Sequence, residues 1–193
     1  MERLKELFKS PTLAISKAKR EKNISKTLWI LILTWILFGL SIFIVSAKMF
    51  TIMISIGVAV SVFLIGLLCS MFCGYLIEII MNVLGGKGKY YEGLTTATYA
   101  KFPISFGFII TALLSLIHPF TGVIGFVIIA ITVALGLSIY FRGIKELFGT
   151  DTLTTFIGFV VLIYVFVIAV YATIIISAPG LASIFKGLTV KPI

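Results

Sequence analysis

The stretch MFTIMISIGVAVSVFLIGLLCSMFCGYLI, residues 49–77, contains no charged residue. A transmembrane helix needs only about 20 apolar residues to cross the roughly 30 Å of hydrocarbon in a bilayer. This uncharged run has 29 residues, so it is more than long enough. The stretch therefore predicts an integral membrane protein built from helices.

The composition of the whole chain supports this interpretation. Hydrophobic residues make up 60% of the 193 positions, charged residues 12%, and the mean hydropathy is +1.21. Soluble domains usually carry about 25% charged residues. A water-soluble globule is excluded, and the length suits four to six crossings without a separate soluble catalytic domain.

Turn residues and charge clusters divide the chain into five predicted spans. Gly85-Gly86 ends the second, because paired glycines adopt the left-handed conformations that stop helices. Pro103 is expected to bend or break the third, and residues 142–151 form a charged connector. The fold class is an all-α integral membrane protein, a bundle of five transmembrane helices with a short amphipathic N-terminal helix. The domains are a basic cytoplasmic leader, 1–27, and a membrane domain, 28–193, with spans at about 28–47, 50–84, 94–117, 123–141 and 152–177.

The distribution of Lys and Arg predicts the orientation, because cytoplasmic loops carry an excess of these residues. With a cytoplasmic N-terminus and an outside C-terminus, thirteen of the sixteen basic residues lie inside, and only Lys48, Lys186 and Lys191 lie outside. A four-helix alternative makes the third span re-entrant, because Lys101 and residues 95–98 weaken its apolar character.

The leader carries eight basic residues in its first 26 positions. Leu4, Leu7 and Phe8 share one helical face, which predicts a helix lying on the membrane with its basic side chains near anionic headgroups. The net charge of +9 is therefore attributed to lipid contact and topology rather than to nucleic acid.

Glu78 and Lys101 are the candidate polar pair inside the membrane, where ionisable residues usually face protein or water. Glu78 lies seven residues before Gly85, and Lys101 lies eight residues after Gly93. Equal depths predict that the two side chains meet between the second and third spans. The pair is interpreted as a charge-neutralising contact, with snorkelling to the interface or a proton or ion relay as alternatives.

Small residues recur every four positions along the second span, at Gly66, Ser70 and Gly74. Such spacing lets helices approach closely in lipid. The stripe is expected to pack either within the monomer or against a second copy, so a homo-oligomer stays possible.

The sequence offers no catalytic or metal-binding set. Cys69 and Cys73 are four residues apart on one predicted helix, but the sole histidine, His118, falls at the opposite membrane face. A tetrahedral metal site needs more ligands than this. A non-enzymatic protein without cofactors is therefore expected.

Several segments resemble the Yip-one domain family of five-span membrane proteins, which are Ypt/Rab-interacting in eukaryotes. The leader KSPTLAI, residues 9–15, is similar to the proline-led start of prokaryotic members. The loop GGKGKYYE, residues 85–92, and the segment YAKFP, residues 99–103, resemble the Gly-Gly loop and the Gly-Tyr…Pro segment of the family. FRGIKELFG, residues 141–149, resembles the connector before the last span. The positions that carry the resemblance are Gly85, Gly86, Lys87, Tyr99, Pro103, Arg142, Gly143, Lys145 and Glu146.

The resemblance implies a five-helix bundle with a cytoplasmic N-terminus and no known catalytic residues. Thr98 stands where a glycine is usual in the family. The Asp-Leu-Tyr-Gly-Pro motif of eukaryotic trafficking members is absent, so binding of a Rab GTPase is not carried over to this chain.

Two functions follow as hypotheses. The first is a membrane scaffold or adaptor that organises lipids or unidentified partner proteins through its leader and cytoplasmic loops. The second is a small transporter, channel or lipid-handling protein with a cavity near Glu78 and Lys101.

Overall fold

The computed structural model describes residues 6–7, 9–117, 122–168 and 171. Within these residues the chain is helical and contains no strand. The helices are α1 (Pro11–Glu21), α2 (Ile24–Ser46), α3 (Ile52–Val83), α4 (Tyr90–Ile117), α5 (Gly122–Phe148) and α6 (Thr152–Ile168).

The predicted all-α membrane bundle is confirmed, although the number of long spans differs. Four described helices are long and apolar enough to cross a membrane, namely α2, α3, α4 and α5 from Val123. The fifth predicted span corresponds to α6, which is apolar but has 17 described residues. The predicted end of that span at residue 177 lies outside the described residues.

Helix α4 is the centre of the bundle and packs against α2, α3 and α5. Nine consecutive residues, 92–100, are buried, so this part of the helix is enclosed on every side. The threonines of residues 95–98, which weakened the third span in sequence, lie in this enclosed part, where neighbouring helices shield them from lipid. Helix α4 also continues through Pro103 to Ile117, so a break at Pro103 does not occur.

Lys48 shows that α4 crosses the bundle instead of re-entering. This residue follows α2, and its Nζ donates hydrogen bonds to the Ser115 carbonyl and, over 3.1 Å, to Ser115 Oγ. Since Ser115 lies in the last turn of α4, that turn is level with the connection between α2 and α3. The re-entrant alternative is therefore wrong.

Close approach of α3 and α4 depends on glycine. A Cβ built on Gly93 would lie 2.2 Å from the Gly74 carbonyl oxygen, and one built on Gly74 would lie 2.9 Å from the Leu94 Cα. Both neighbours are backbone atoms, which cannot rotate away as a side chain can. Close backbone contact of this kind is typical of helix packing in membranes.

The connector between α5 and α6 is shorter than predicted. Helix α5 runs to Phe148, so only residues 149–151 separate it from α6. Gly149 has a φ of +66°, and the Thr150 amide donates to the Lys145 carbonyl over 3.2 Å. This geometry is a Schellman ending. The four predicted connector residues, Arg142, Gly143, Lys145 and Glu146, therefore belong to the last turns of α5.

We expect Gly93→Ala to destabilise the protein, because the added methyl group would force α3 and α4 apart. Overpacking of this kind costs about 1–3 kcal/mol. Thermal unfolding in detergent measures the effect as a lower melting temperature. Gly57→Ala is the matched control on α3, since a Cβ there meets nothing within 4 Å; an equal loss in both variants would contradict the close-packing argument.

Candidate functional site

One end of the bundle gathers the elements that resemble family motifs. It consists of α1, the 84–89 loop between α3 and α4, and the 149–151 turn between α5 and α6. We call this region the leader end. Helix α1 and the 84–89 loop are both hydrogen-bonded to the first turn of α4 and to the end of α5, as the following contacts show.

The 84–89 loop begins with a complete Schellman motif. Gly85 has a φ of +86°, its amide donates to the Asn82 carbonyl over 3.1 Å, and the Gly86 amide donates to the Met81 carbonyl over 2.8 Å. The motif needs a left-handed residue at the position of Gly85, which glycine adopts without a steric cost.

The same loop is attached to the end of α5 through Phe148. The Lys87 amide donates to the Phe148 carbonyl over 3.0 Å. A Cβ on Gly88 would lie 2.3 Å from the Phe148 ring, so this position accepts no side chain unless the ring moves. Phe148 itself is 1% exposed. The loop thus has a fixed geometry rather than that of an unattached glycine-rich turn.

Glu92 connects the loop to the leader. Its Oε2 accepts from the Lys89 amide over 2.9 Å, which is the second half of a capping box at the start of α4. Its Oε1 lies 3.5 Å from Lys22 Nζ, and the Glu92 side chain is only 7% exposed. A nearly buried carboxylate therefore holds both the first turn of α4 and the end of α1.

The apolar face of the leader packs against the bundle, whereas the sequence prediction assigned this face to the membrane surface. Leu7, Ala14, Ile15 and Ala18 are at most 1% exposed and belong to the same apolar cluster as residues of α3, α4 and α5. Protein replaces lipid as the partner of this apolar face. Leu4 and Phe8, two of the three residues of the predicted face, lie outside the described residues.

Polar contacts reinforce leader docking. The Tyr91 hydroxyl donates to the Ala18 carbonyl over 3.0 Å, and Lys19 Nζ donates to the Glu146 carbonyl at the end of α5. Gly143, one turn before Glu146, faces Thr96 on α4.

The turn before α6 is capped by Asp151. Its Oδ1 accepts from the Thr154 amide over 3.3 Å. Hydrogen bonds from Thr154 hold the pKa of this carboxyl below its usual value, so the carboxylate form that caps the helix is favoured.

The predicted Glu78–Lys101 pair does not form. Lys101 Nζ donates to Ser70 Oγ over 2.8 Å and lies 5.8 Å from the centroid of the Trp35 ring. Ser70 is eight residues, or about 12 Å, from Glu78 along α3. Among the ion pairs of the described residues, none joins Glu78 to Lys101.

The depth argument failed because Gly93 does not lie level with Gly85, where α3 has ended. A Cβ on Gly93 would lie 3.4 Å from the Glu78 amide nitrogen. Gly93 is therefore level with Glu78, whereas Lys101 is two turns further along α4.

The small-residue stripe on α3 packs inside the monomer and receives Trp35. Trp35 Nε1 donates to Ser70 Oγ over 2.9 Å, and a Cβ on Gly66 would lie 2.1 Å from the indole ring. Gly74 contacts α4, as described above. Ser70 is fully buried, so its contact with the Lys101 amine does not present a nucleophile to a substrate.

Two other residues predicted from the family resemblance, Tyr99 and Pro103, are buried among the helices. Tyr99 is the largest fully buried side chain, and Pro103 is buried inside α4. Sequence reasoning missed Trp35, Phe148 and the role of Glu92. Only Glu92 had a recognisable local sequence signal. It lies three residues after Lys89, the spacing of an acidic residue that caps the start of a helix.

The helices and their packing define a multi-pass helical membrane protein. A model of the Yip1 domain matches residues 5–176, which is most of the chain. The protein therefore belongs to the Yip1 domain family. No curated protein and no solved structure matches the chain.

A double-mutant cycle tests the arrangement of Lys101. We expect Ser70→Ala and Lys101→Met to be non-additive, because each removes the same hydrogen bond. The coupling energy is expected to be roughly 0.6–1.7 kcal/mol, the range of interhelical hydrogen bonds in membranes. Unfolding in mixed micelles measures it. Glu78→Gln combined with Lys101→Met is the control and should be additive; coupling in that pair would restore the rejected contact.

A second variant tests the role of Glu92. We expect Glu92→Gln to loosen α1, because Lys22 loses its ion-pair partner. Limited trypsin digestion at Lys19 and Arg20 of the purified protein should become at least severalfold faster. Glu21→Gln is the control, because it removes an exposed local ion pair with Lys26, five residues along the chain, and leaves Glu92 in place. Equal acceleration in both variants would show that Glu92 does not anchor the leader.

Proposed function

We propose that this Yip1-family membrane protein is a non-enzymatic scaffold or adaptor. Its leader end is the surface that contacts partner proteins and the headgroups of anionic lipids. The observation that supports this most is that α1 and the 84–89 loop are both hydrogen-bonded to the first turn of α4 and to the end of α5. A surface of fixed shape costs a partner little ordering entropy on binding.

The leader end is proposed to face the cytoplasm. Helices α2, α3, α4 and α5 connect its three elements by an even number of crossings, and the distribution of basic residues favours this side. The C-terminal tail is proposed to lie outside, after the last crossing.

A transporter, channel or lipid-handling protein is the second candidate. Lys101 supports it, because ionisable residues within spans commonly line transport paths. The contacts of its amine favour a structural role, because the amine already donates to the Ser70 hydroxyl and lies over the Trp35 ring.

Site-specific photocrosslinking tests the scaffold. A benzoylphenylalanine residue replaces Lys87 at the leader end or Met49 in the opposite turn, and both positions are exposed. Illumination of native membranes is expected to give a discrete protein adduct from position 87 and none from position 49.

The same adduct from both positions, or none from position 87, would contradict a partner surface at the leader end. Proteoliposomes supply the outcome that would favour the second candidate. An ion or solute flux above that of protein-free vesicles, abolished by Lys101→Met, would replace the scaffold with a transporter.

A further inference from the structure

The charges of the leader end do not balance. The described residues of the helices, loops and turns at this end include ten Lys and Arg residues against five Asp and Glu residues. Some of these cations form ion pairs within the protein and others do not. We treat the two groups separately, because only the second is available to an external ligand.

The internal acids are already engaged. Glu6 pairs with Lys17, Glu21 with Lys26, and Glu92 with Lys22. Asp151 caps α6. Glu146 lies within electrostatic range of Lys19, Arg142 and Lys145.

Most leader lysines therefore stabilise the protein itself. Lys17, Lys22 and Lys26 form ion pairs, and Lys19 binds the end of α5. The sequence had assigned the leader's basic side chains to headgroups. The structure leaves fewer leader cations for that purpose and adds two from the 84–89 loop.

Seven exposed cations at the leader end have no ion pair with a described residue. Lys19 and Lys145 donate to the Glu146 carbonyl and the Thr152 hydroxyl, and Arg142 lies within electrostatic range of Glu146. The other four make no such side-chain contact with a described residue, and two of them lie in the 84–89 loop. They are Lys9, Arg20, Lys87 and Lys89. Lys87 and Lys89 are held in place through their backbone amides, which bond to Phe148 and Glu92. Their side chains extend from a fixed backbone.

Exposed apolar side chains stand beside these cations. Leu13 is 56% exposed in the first turns of α1, four residues after Lys9, and Val83 is 82% exposed just before the 84–89 loop. Cationic side chains next to apolar ones suit the boundary between headgroups and acyl chains. An acidic soluble protein would leave this apolar surface without a matching partner.

We propose that Lys9, Arg20, Lys87 and Lys89 form a selective binding surface for anionic phospholipid headgroups, while the paired leader lysines hold α1 on the bundle. This inference rests on the proposed function and assigns the lipid contact to particular side chains. It moves the lipid site from the leader as a whole to a composite surface in which the 84–89 loop contributes two cations.

Lipid selectivity of the full-length protein tests this assignment. Wild type is placed in nanodiscs of phosphatidylcholine that contain dansyl-labelled phosphatidylglycerol or dansyl-labelled phosphatidylcholine. Energy transfer from Trp29, which is 70% exposed near the start of α2, reports labelled lipid at this end in a background in which Trp35 is replaced by Phe in every variant compared. The expected result is preferential transfer to the phosphatidylglycerol probe.

Two variants with equal loss of charge make the test sharp. The first changes Lys9, Arg20, Lys87 and Lys89 to Gln, and the second changes Lys17, Lys19, Lys22 and Lys26 to Gln. One cation near an anionic surface changes affinity about fivefold. We expect the first variant to lose roughly tenfold or more in selectivity, and the second to keep most of it while its leader becomes sensitive to trypsin.

Equal loss of selectivity in the two variants would overturn the assignment, because net charge alone would explain the binding. Absence of selectivity in wild type would also overturn it and would favour an acidic protein as the occupant. The photocrosslinking result is independent of both outcomes, so failure of the lipid surface and failure of the scaffold are distinguishable.

Discussion

The enclosure of α4 is the constraint on which the rest of the structure depends. Its first half contains Thr95, Thr96 and Thr98 in a helix that lies within a membrane bundle, and polar groups exposed to hydrocarbon are costly. Helices α2, α3 and α5 surround this half, and Thr27 on α2 supplies a hydroxyl 3.2 Å from that of Thr95. Close packing around a polar helix needs small residues on its neighbours, which explains the glycines at Gly74 and Gly143.

The fold class was predictable because the charge-free runs and the turn glycines are local signals. The uncharged stretch predicted α3, and Gly85 ends that helix through its positive φ. Contacts between helices were not predictable in the same way. The Glu78–Lys101 hypothesis assumed that Gly85, after α3, and Gly93, near the start of α4, lie at one level, whereas Gly93 packs beside Gly74 and Glu78, well before the end of α3. Such an offset depends on which glycine faces which backbone, and spacing along one sequence does not specify that.

The leader illustrates a second limit of sequence reasoning. An amphipathic basic helix has the same pattern whether its apolar face meets lipid or protein. Ala14 and Ala18 are one turn apart and small, which lets α1 approach the bundle closely, but small residues also occur on interfacial helices. Contacts between the leader and the bundle distinguish the two cases, because Glu92 pairs with Lys22 and the Glu146 carbonyl accepts from Lys19. Neither acceptor is near the leader in sequence.

Lys101 can be accommodated in the bundle without a carboxylate. It lies eleven residues, or about 16 Å, from the start of α4 at 1.5 Å per residue. Placing such a cation in a span costs about 2.5–3.5 kcal/mol on insertion scales. A hydrogen bond to a charged donor contributes about 1.5–3 kcal/mol, and a cation–π contact in a desolvated site about 2 kcal/mol. The contacts with Ser70 and Trp35 are thus of the size needed to offset the cost, and they draw α2, α3 and α4 together at one point. The Trp35 indole donates to the same Ser70 oxygen, so one small hydroxyl organises three helices, and a larger residue at that position would separate all of them.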